Sequence, residues 1–188
     1  MKRILAIILT GTMTVGMMIV SLPKEKEKVV APPKEIIETQ TYHTNIDYSL
    51  LYSLEEETRK EEEIDLTYPE AQLMMLVGRS EGGSTLLGQL WVMRVLWNRV
   101  KSDAPDFKDV NDIGSVIFQS GQFQVVSTEA YKNVKLNVES HLALGLLEAG
   151  WNGTDGALWF ESKSNSENSW HKKNLVFIAE VDGNLYYK

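Results

Sequence analysis

The stretch Thr85–Lys101, TLLGQLWVMRVLWNRVK, carries apolar side chains around most of a helical circumference. A helix of that kind cannot rest on a surface; neighbours have to cover it on nearly every side. It commits the surrounding sequence to a compact core, and a chain of 188 residues, once its tails are set aside, has room for one such core and not two. The covering elements are legible on both sides. Upstream, Thr67 followed by Pro69 and Glu70 marks a helix start: a capping hydroxyl, a proline in the first turn and an acid near the positive end of the dipole. That helix should run to about Glu81, where Gly82 and Gly83 break it, and Ser84 is the expected N-cap of the central helix. Downstream, beyond a loop containing Pro105, shorter helices are expected over Asp112–Gln119 and Leu136–Ala149, the second ended by Gly150. Ala157–Phe160, Leu175–Val181 and Leu185–Tyr187 read as strands, with Asp182-Gly183 as a hairpin turn between the last two. The fold class is α+β, mostly helical, with a small antiparallel β element at the C-terminal end.

Before Thr67 the texture is different. After Lys2 and Arg3, Ile4 to Pro23 is twenty residues without a charge. At about 1.5 Å per residue this approaches the roughly 30 Å apolar core of a bilayer. Residues 1–22 are therefore expected to be a signal anchor or transmembrane segment; Ile19 and Ser21 make a poor cleavage site, which favours an uncleaved anchor over a removed signal peptide. Residues 23–66 alternate Lys and Glu, contain Pro23, Pro32 and Pro33, and end in the run EEETRKEEEID. This reads as a charged, disordered tether with an average reach of roughly 35 Å. Ile46, Tyr48, Leu50, Leu51, Tyr52 and Leu54 form an apolar island in it, expected as a fluctuating cluster rather than a docked element.

The chain's net charge is −7, which disfavours a phosphate backbone as partner, so no nucleic acid is expected. With no cysteine, disulfides, thiolate metal sites and a cysteine nucleophile are excluded. His43, His141 and His171 stand on separate elements without metal-ligand spacing, so no metal and no cofactor are expected. Nothing in the sequence asks for more than a monomer.

One carboxylate breaks its local pattern. At about 100° per residue, Glu81 falls on the apolar stripe of Met74 and Val77, while Arg79 falls on the far side. An acid turned toward the core, at a helix C-terminus whose dipole opposes its charge, should have a raised pKa and could donate a proton near neutral pH. The bland alternative is a last-turn Glu that bends out to solvent.

The residues around Glu81 add to this. Gly78-Arg79-Ser80-Glu81-Gly82-Gly83, then Gly88-Gln89, then Asn98-Arg99-Val100, followed by Gly121-Gln122-Phe123, Gly156-Ala157-Leu158-Trp159-Phe160 and Gly183-Asn184-Leu185-Tyr186-Tyr187, occur in an order and spacing that resembles the SleB/CwlJ family of bacterial cell wall hydrolases, which includes spore-cortex-lytic enzymes. The resemblance covers about Tyr68 to Lys188 and implies a lysozyme-like α+β domain acting on peptidoglycan, with residues 67–188 as the catalytic domain. It implies Glu81 as catalytic acid. The loop to Gly88-Gln89 is one residue shorter than the family's usual, so a gapless alignment would set Ser80 at that position, and Ser84 or Thr85 stands where the family has a second acid. Gln124 and Leu185 also replace residues common there.

A hydrolase normally needs a second carboxylate about 5–9.5 Å from the first. Asp103, Asp106, Glu129, Asp155 and Glu161 are conceivable, but no motif places any of them. A lytic transglycosylase needs one acid, because the C6 hydroxyl of N-acetylmuramic acid attacks C1 intramolecularly. This fits better than a hydrolytic muramidase or an inactive peptidoglycan-binding module. Gln122 could hydrogen-bond a sugar's acetamido or hydroxyl group, and Phe123, Trp159 and Tyr187 could lie against pyranose rings, although packing is the commoner role of an aromatic. The expected partners are peptidoglycan glycan strands and, through the N-terminal segment, the membrane; the expected location is the extracytoplasmic envelope, anchored or secreted.

Overall fold

The computed structural model describes residues 47–58 and 64–188. The segment expected to anchor the chain, and most of the tether, lie outside these residues; among the described helices none is long and apolar enough to cross a membrane.

Helix α1 is Tyr48–Thr58, α2 Tyr68–Glu81 and α3 Leu86–Val100; α4 is Ile113–Ile117, α5 Gln124–Ser127, α6 Val138–Glu148 and α7 Trp170–Asn174. Strands β1 (Trp159–Ser162), β2 (Phe177–Val181) and β3 (Asn184–Tyr187) complete the domain. As its apolar circumference requires, α3 is the centre: Leu90, Val92, Met93, Val95 and Leu96 have no exposed surface. It is flanked by α2 and α6. Two glycines let it sit that close. A Cβ on Gly78 of α2 would stand 2.8 Å from Met93 Cε, and one on Gly88 would stand 2.2 Å from the Gly82 carbonyl oxygen. Gln89 is fully buried and satisfied from α6, its Oε1 accepting from Ser140 Oγ (2.6 Å) and its Nε2 donating to Asn137 Oδ1 (3.2 Å). The Gly-Gln pair is thus a structural clamp, with the small residue admitting the α2–α3 loop and the polar one tying α3 to the start of α6.

The helix starts follow local chemistry. Glu70 reaches back to the Thr67 N–H (3.0 Å), Asp112 caps α4 through the Ser115 N–H (2.7 Å), and Asn137 caps α6 through the Ser140 N–H (3.0 Å). The cap of α3 is Thr85 and not Ser84: the Thr85 hydroxyl accepts the Gly88 N–H at 3.1 Å, while the Ser84 carbonyl is taken by Asn137 Nδ2 (3.0 Å).

The sheet has the order β1-β3-β2 and is antiparallel throughout. Asp182 (φ 49°) and Gly183 (φ 79°) both lie in the left-handed region, as a two-residue hairpin turn requires. β1 begins at Trp159 rather than Ala157, because the Ala157 and Leu158 carbonyls accept from the side chains of Asn98 (3.0 Å) and Arg99 (2.7 Å) instead of a strand. The Asn98-Arg99 pair therefore fastens the C-terminal end of α3 to the sheet. Alternation then sorts the strand residues. Asn184 and Tyr186 face the helices, with Tyr186 against Trp91 (4.7 Å between rings). Trp159, Glu161, Leu185 and Tyr187 share the other face, by their direct pairing Trp159 to Tyr187 and Glu161 to Leu185. The five-residue α7, which the sequence reading did not anticipate, packs on β1.

The apolar island is a correction. Tyr48–Thr58 is a helix that contacts α6, and its Leu51 and Leu54 are buried. It begins at Asp47, whose carboxylate accepts the Ser49 N–H (3.0 Å). Leucines three apart fall on one face, and that face has α6 to pack on. Nothing in its own eleven residues names α6 as the partner.

Candidate active site

Glu81 closes α2, half-buried, four residues beyond the fully buried Val77. Removal from water pushes its carboxyl above the usual range. What surrounds it comes from the far end of the chain. Asn184 Nδ2 donates to the Glu81 carbonyl (2.9 Å), and the Thr85 hydroxyl donates to the Asp182 carboxylate, so the β2–β3 turn is pinned to the loop that follows Glu81. The Tyr186 hydroxyl is buried without a well-formed hydrogen bond among the described residues. Burial, with the charges of Asp182 and Glu81 nearby, raises its pKa. A neutral phenol and a carboxyl biased toward its protonated form therefore share this corner.

Sequence reasoning missed Asp182, Asn184 and Tyr186. The strand alternation that sets Tyr186 against the helices was in principle readable; the contacts of the hairpin turn with a loop about a hundred residues upstream were not. Ser80, the alternative at this position, turns its hydroxyl back to the Leu76 carbonyl (2.8 Å).

From Tyr186 a line of rings leads away: Phe160 at 5.7 Å and then Phe123 at 6.2 Å. Gln122 is exposed at its end, after the Gly121 turn (φ 78°). The Phe123 assignment needs correction. It is 5% exposed and lies under the Arg99 guanidinium (5.2 Å), so its ring has no face for a sugar. Arg99, pushed down to about 10 by burial, also lies over Phe107 (5.0 Å) and makes this a packed cation–π stack. Tyr187 is corrected likewise: it is 1% exposed, on the sheet face away from the helices, with its hydroxyl donated to Glu161 Oε1 (2.8 Å). Trp159, half-buried on that same face, packs against Phe107 (5.5 Å). Of the four aromatic and amide candidates, Gln122 alone remains on the surface of the wall that leads to Glu81.

None of the conceivable second acids from the sequence stands with Glu81. Asp103, Asp106 and Asp155 lie at the C-terminal end of α3, roughly 22 Å of helix away from the end that Glu81 meets. Glu129 is exposed and ion-paired with Lys132 (2.6 Å). Glu161 is on the opposite sheet face, where it accepts from Ser169 Oγ (2.6 Å) and Tyr187 and pairs with His171 Nδ1 (3.3 Å). Burial alone would raise Glu161, but these partners outweigh it and hold the carboxyl below its usual range. An open pocket of about 260 Å³ lies beside the Glu81 loop, lined by Asp47 and Leu50 of the α1 start, Ser84–Leu86, and Glu139 and Leu142 of α6. No group of side chains among the described residues is arranged to hold a metal ion.

The sequence profile of one family, described as cell wall hydrolase, matches residues 83–187. The chain belongs to the cell wall hydrolase family. The matched stretch includes the Gly-Gln clamp, the Asn-Arg fastening and the whole sheet, and begins two residues after Glu81. Two solved structures are similar in fold. The catalytic domain of the germination-specific lytic transglycosylase SleB from Bacillus anthracis aligns over 65% of this chain and 97% of its own, at 24% identity and a TM-score of 0.54. The catalytic domain of the Bacillus cereus SleB protein aligns over 66% and 93%, at 24% identity and a TM-score of 0.56. No curated protein matches significantly in sequence. The lysozyme-like α+β class expected from the motifs is the class of the fold found.

Proposed function

We propose that this family member is a lytic transglycosylase that cuts peptidoglycan between N-acetylmuramic acid and N-acetylglucosamine, with Glu81 as its acid and base. The observation that carries this reading is the half-buried Glu81 carboxyl, raised by desolvation, in a corner where none of the five acids weighed from the sequence joins it. Glu81 gives its proton to the glycosidic oxygen as the C1–O bond breaks. The C6 hydroxyl oxygen of the same muramic residue bonds to C1, and the proton of that hydroxyl returns to the Glu81 carboxylate. The product is a 1,6-anhydro end, and the acid is regenerated. In this reading Gln122, exposed at the end of the ring wall, hydrogen-bonds an acetamido or hydroxyl group of the strand.

One observation favours a second reading. Asp182 brings a carboxylate to the loop after Glu81, through Thr85, where it would serve a hydrolytic muramidase. Mass spectrometry of digested peptidoglycan separates the two: 1,6-anhydro ends support the transglycosylase, new reducing ends the muramidase, and absence of new ends a binding module without turnover.

The substrate sets the location. Residues 67–188 work outside the membrane, held near it by the apolar segment that follows Arg3. Protease added to intact, wall-stripped cells should digest the domain; full protection of it would overturn this placement.

A further inference from the structure

The face of the sheet turned away from Glu81 carries an aromatic layer that neither the fold nor the proposed chemistry uses. Trp170 is 58% exposed and Phe177 55%. They are not loose surface residues. His171 stacks on the buried Tyr187 (5.9 Å, 25° between planes), Trp170 meets the edge of His171 (5.8 Å, 80°), and Phe177 meets the edge of Tyr187 (6.0 Å, 74°). Beneath them Glu161 accepts from Tyr187, Ser169 and His171. Ser169 in turn caps α7 through the Lys172 N–H (3.1 Å). A helix of five residues has little stability of its own; here a half-buried carboxylate fixes it, and the exposed Trp170 ring connects to Phe177 through His171 and Tyr187.

The stretch between Glu167 and Glu180 that carries these rings is locally basic. Residues 168–179 contain Lys172 and Lys173 and no acid, in a protein of net charge −7. Both lysines are exposed, and the contact recorded for a lysine ammonium here is Lys173 Nζ to the Asn168 carbonyl (3.0 Å). Flat apolar rings flanked by exposed ammonium groups fit a polymer with apolar sugar faces and pendant carboxylates.

We propose that Trp170, Phe177, Lys172 and Lys173 form a second, non-catalytic binding surface for peptide-substituted N-acetylated glycan: sugar rings lie on the two aromatic side chains, and stem-peptide carboxylates pair with the lysines. This rests on the reading of the protein as a peptidoglycan-cleaving enzyme. The sheet lies between this surface and Glu81, so a strand bound here is not the one being cut at that moment. Such an anchor raises the effective concentration of wall polymer at the catalytic corner without adding a contact to the reacting sugars.

The test is co-sedimentation of the full chain, in mild detergent, with purified insoluble peptidoglycan. An E81Q background prevents digestion. In that background W170A/F177A should bind at least about tenfold more weakly, W170Y should restore a large part of what W170A loses, and K172S/K173S should show a smaller, salt-sensitive loss. With Glu81 intact, W170A/F177A should release ends from short soluble glycan fragments at the parent rate. Unchanged binding by W170A/F177A, or no sedimentation of the E81Q parent, overturns the proposal. So does a loss of binding that accompanies dissociation of a dimer in light scattering, which would make the surface a self-association face. Failure of the catalytic reading shows separately, as an E81Q variant that still cleaves the soluble fragments.

Discussion

Tyr186 and Tyr187 are neighbours on one strand, both buried, and their surroundings differ in nearly every respect. Tyr186 faces the helices, where its hydroxyl shares a corner with Glu81 and lacks a well-formed hydrogen bond among the described residues. Tyr187 faces the other way, and its hydroxyl is committed to Glu161 (2.8 Å); burial first, and then this bond to the carboxylate, push its pKa up to about 12. The two glutamates differ in the same sense. Glu81 is desolvated with no side-chain partner among the described residues to offset that, so its proton is held more tightly; Glu161 is desolvated too, but three donors favour its charge. A carboxyl poised to give up and retake a proton and a carboxyl used as a structural anchor are thus told apart by the deeper desolvation of the first and the donors around the second.

The largest effect should come from the catalytic side of this comparison. Glu81→Gln keeps size and amide hydrogen bonding but has no acidic proton, so turnover should drop by about 10²–10⁴-fold, measured as new glycan ends, with folding retained. The pH dependence sharpens the point. Activity needs protonated Glu81 and should decline as pH rises through its elevated pKa. Stability has opposite signs at the two sites. The native state holds the Glu81 proton more tightly than the unfolded chain, so that contribution is greatest in acid and is lost as pH rises through the folded value. Glu161 contributes above its ordinary carboxylate pKa, about 4.3, and that contribution disappears as pH falls through its lowered folded value. Glu161→Gln should therefore remove a loss of stability that sets in below the ordinary carboxylate value, and Glu81→Gln one that sets in above it; the reverse pattern would break the comparison.

Next in size is Phe123→Ala. For a ring this buried, packed between Arg99 and Phe160, the loss should be about 3–5 kcal/mol by denaturant titration, and a small loss would return Phe123 to the list of sugar contacts. Tyr187→Phe should cost about 1.5–3 kcal/mol, since it removes a hydrogen bond to a charged group, whereas Tyr186→Phe should cost clearly less and act on turnover instead. Equal stability losses for the two tyrosines would mean that the faces of the sheet are not distinct in the way described. The smallest effect is expected from Gln122→Ala: stability within about 0.5 kcal/mol, as for other exposed sites, with a several-fold fall in turnover. No change in turnover would remove Gln122 from the site.

What the sequence determined by itself is local. Thr67 with Glu70, the glycines at 82 and 83, Asp182-Gly183 and the apolar circumference of Thr85–Lys101 each act within one or two turns of chain, and each element they predict is present within a residue or two. The position of Glu81 on the buried stripe belongs here as well, because four residues after Val77 means the same face of any α-helix. Only the tertiary structure decided what the pieces meet. That Leu51 and Leu54 find α6, that Thr85 and not Ser84 caps α3, that Phe123 is sealed under Arg99, and that Asp182, Asn184 and Tyr186 close around Glu81 all depend on contacts between segments tens to a hundred residues apart. A side chain's type fixes what it can bond, but burial and partner are properties of the assembled neighbours. For this reason a strand of four residues, Asn184–Tyr187, could be recognised in the sequence while the opposite roles of its two tyrosines could not.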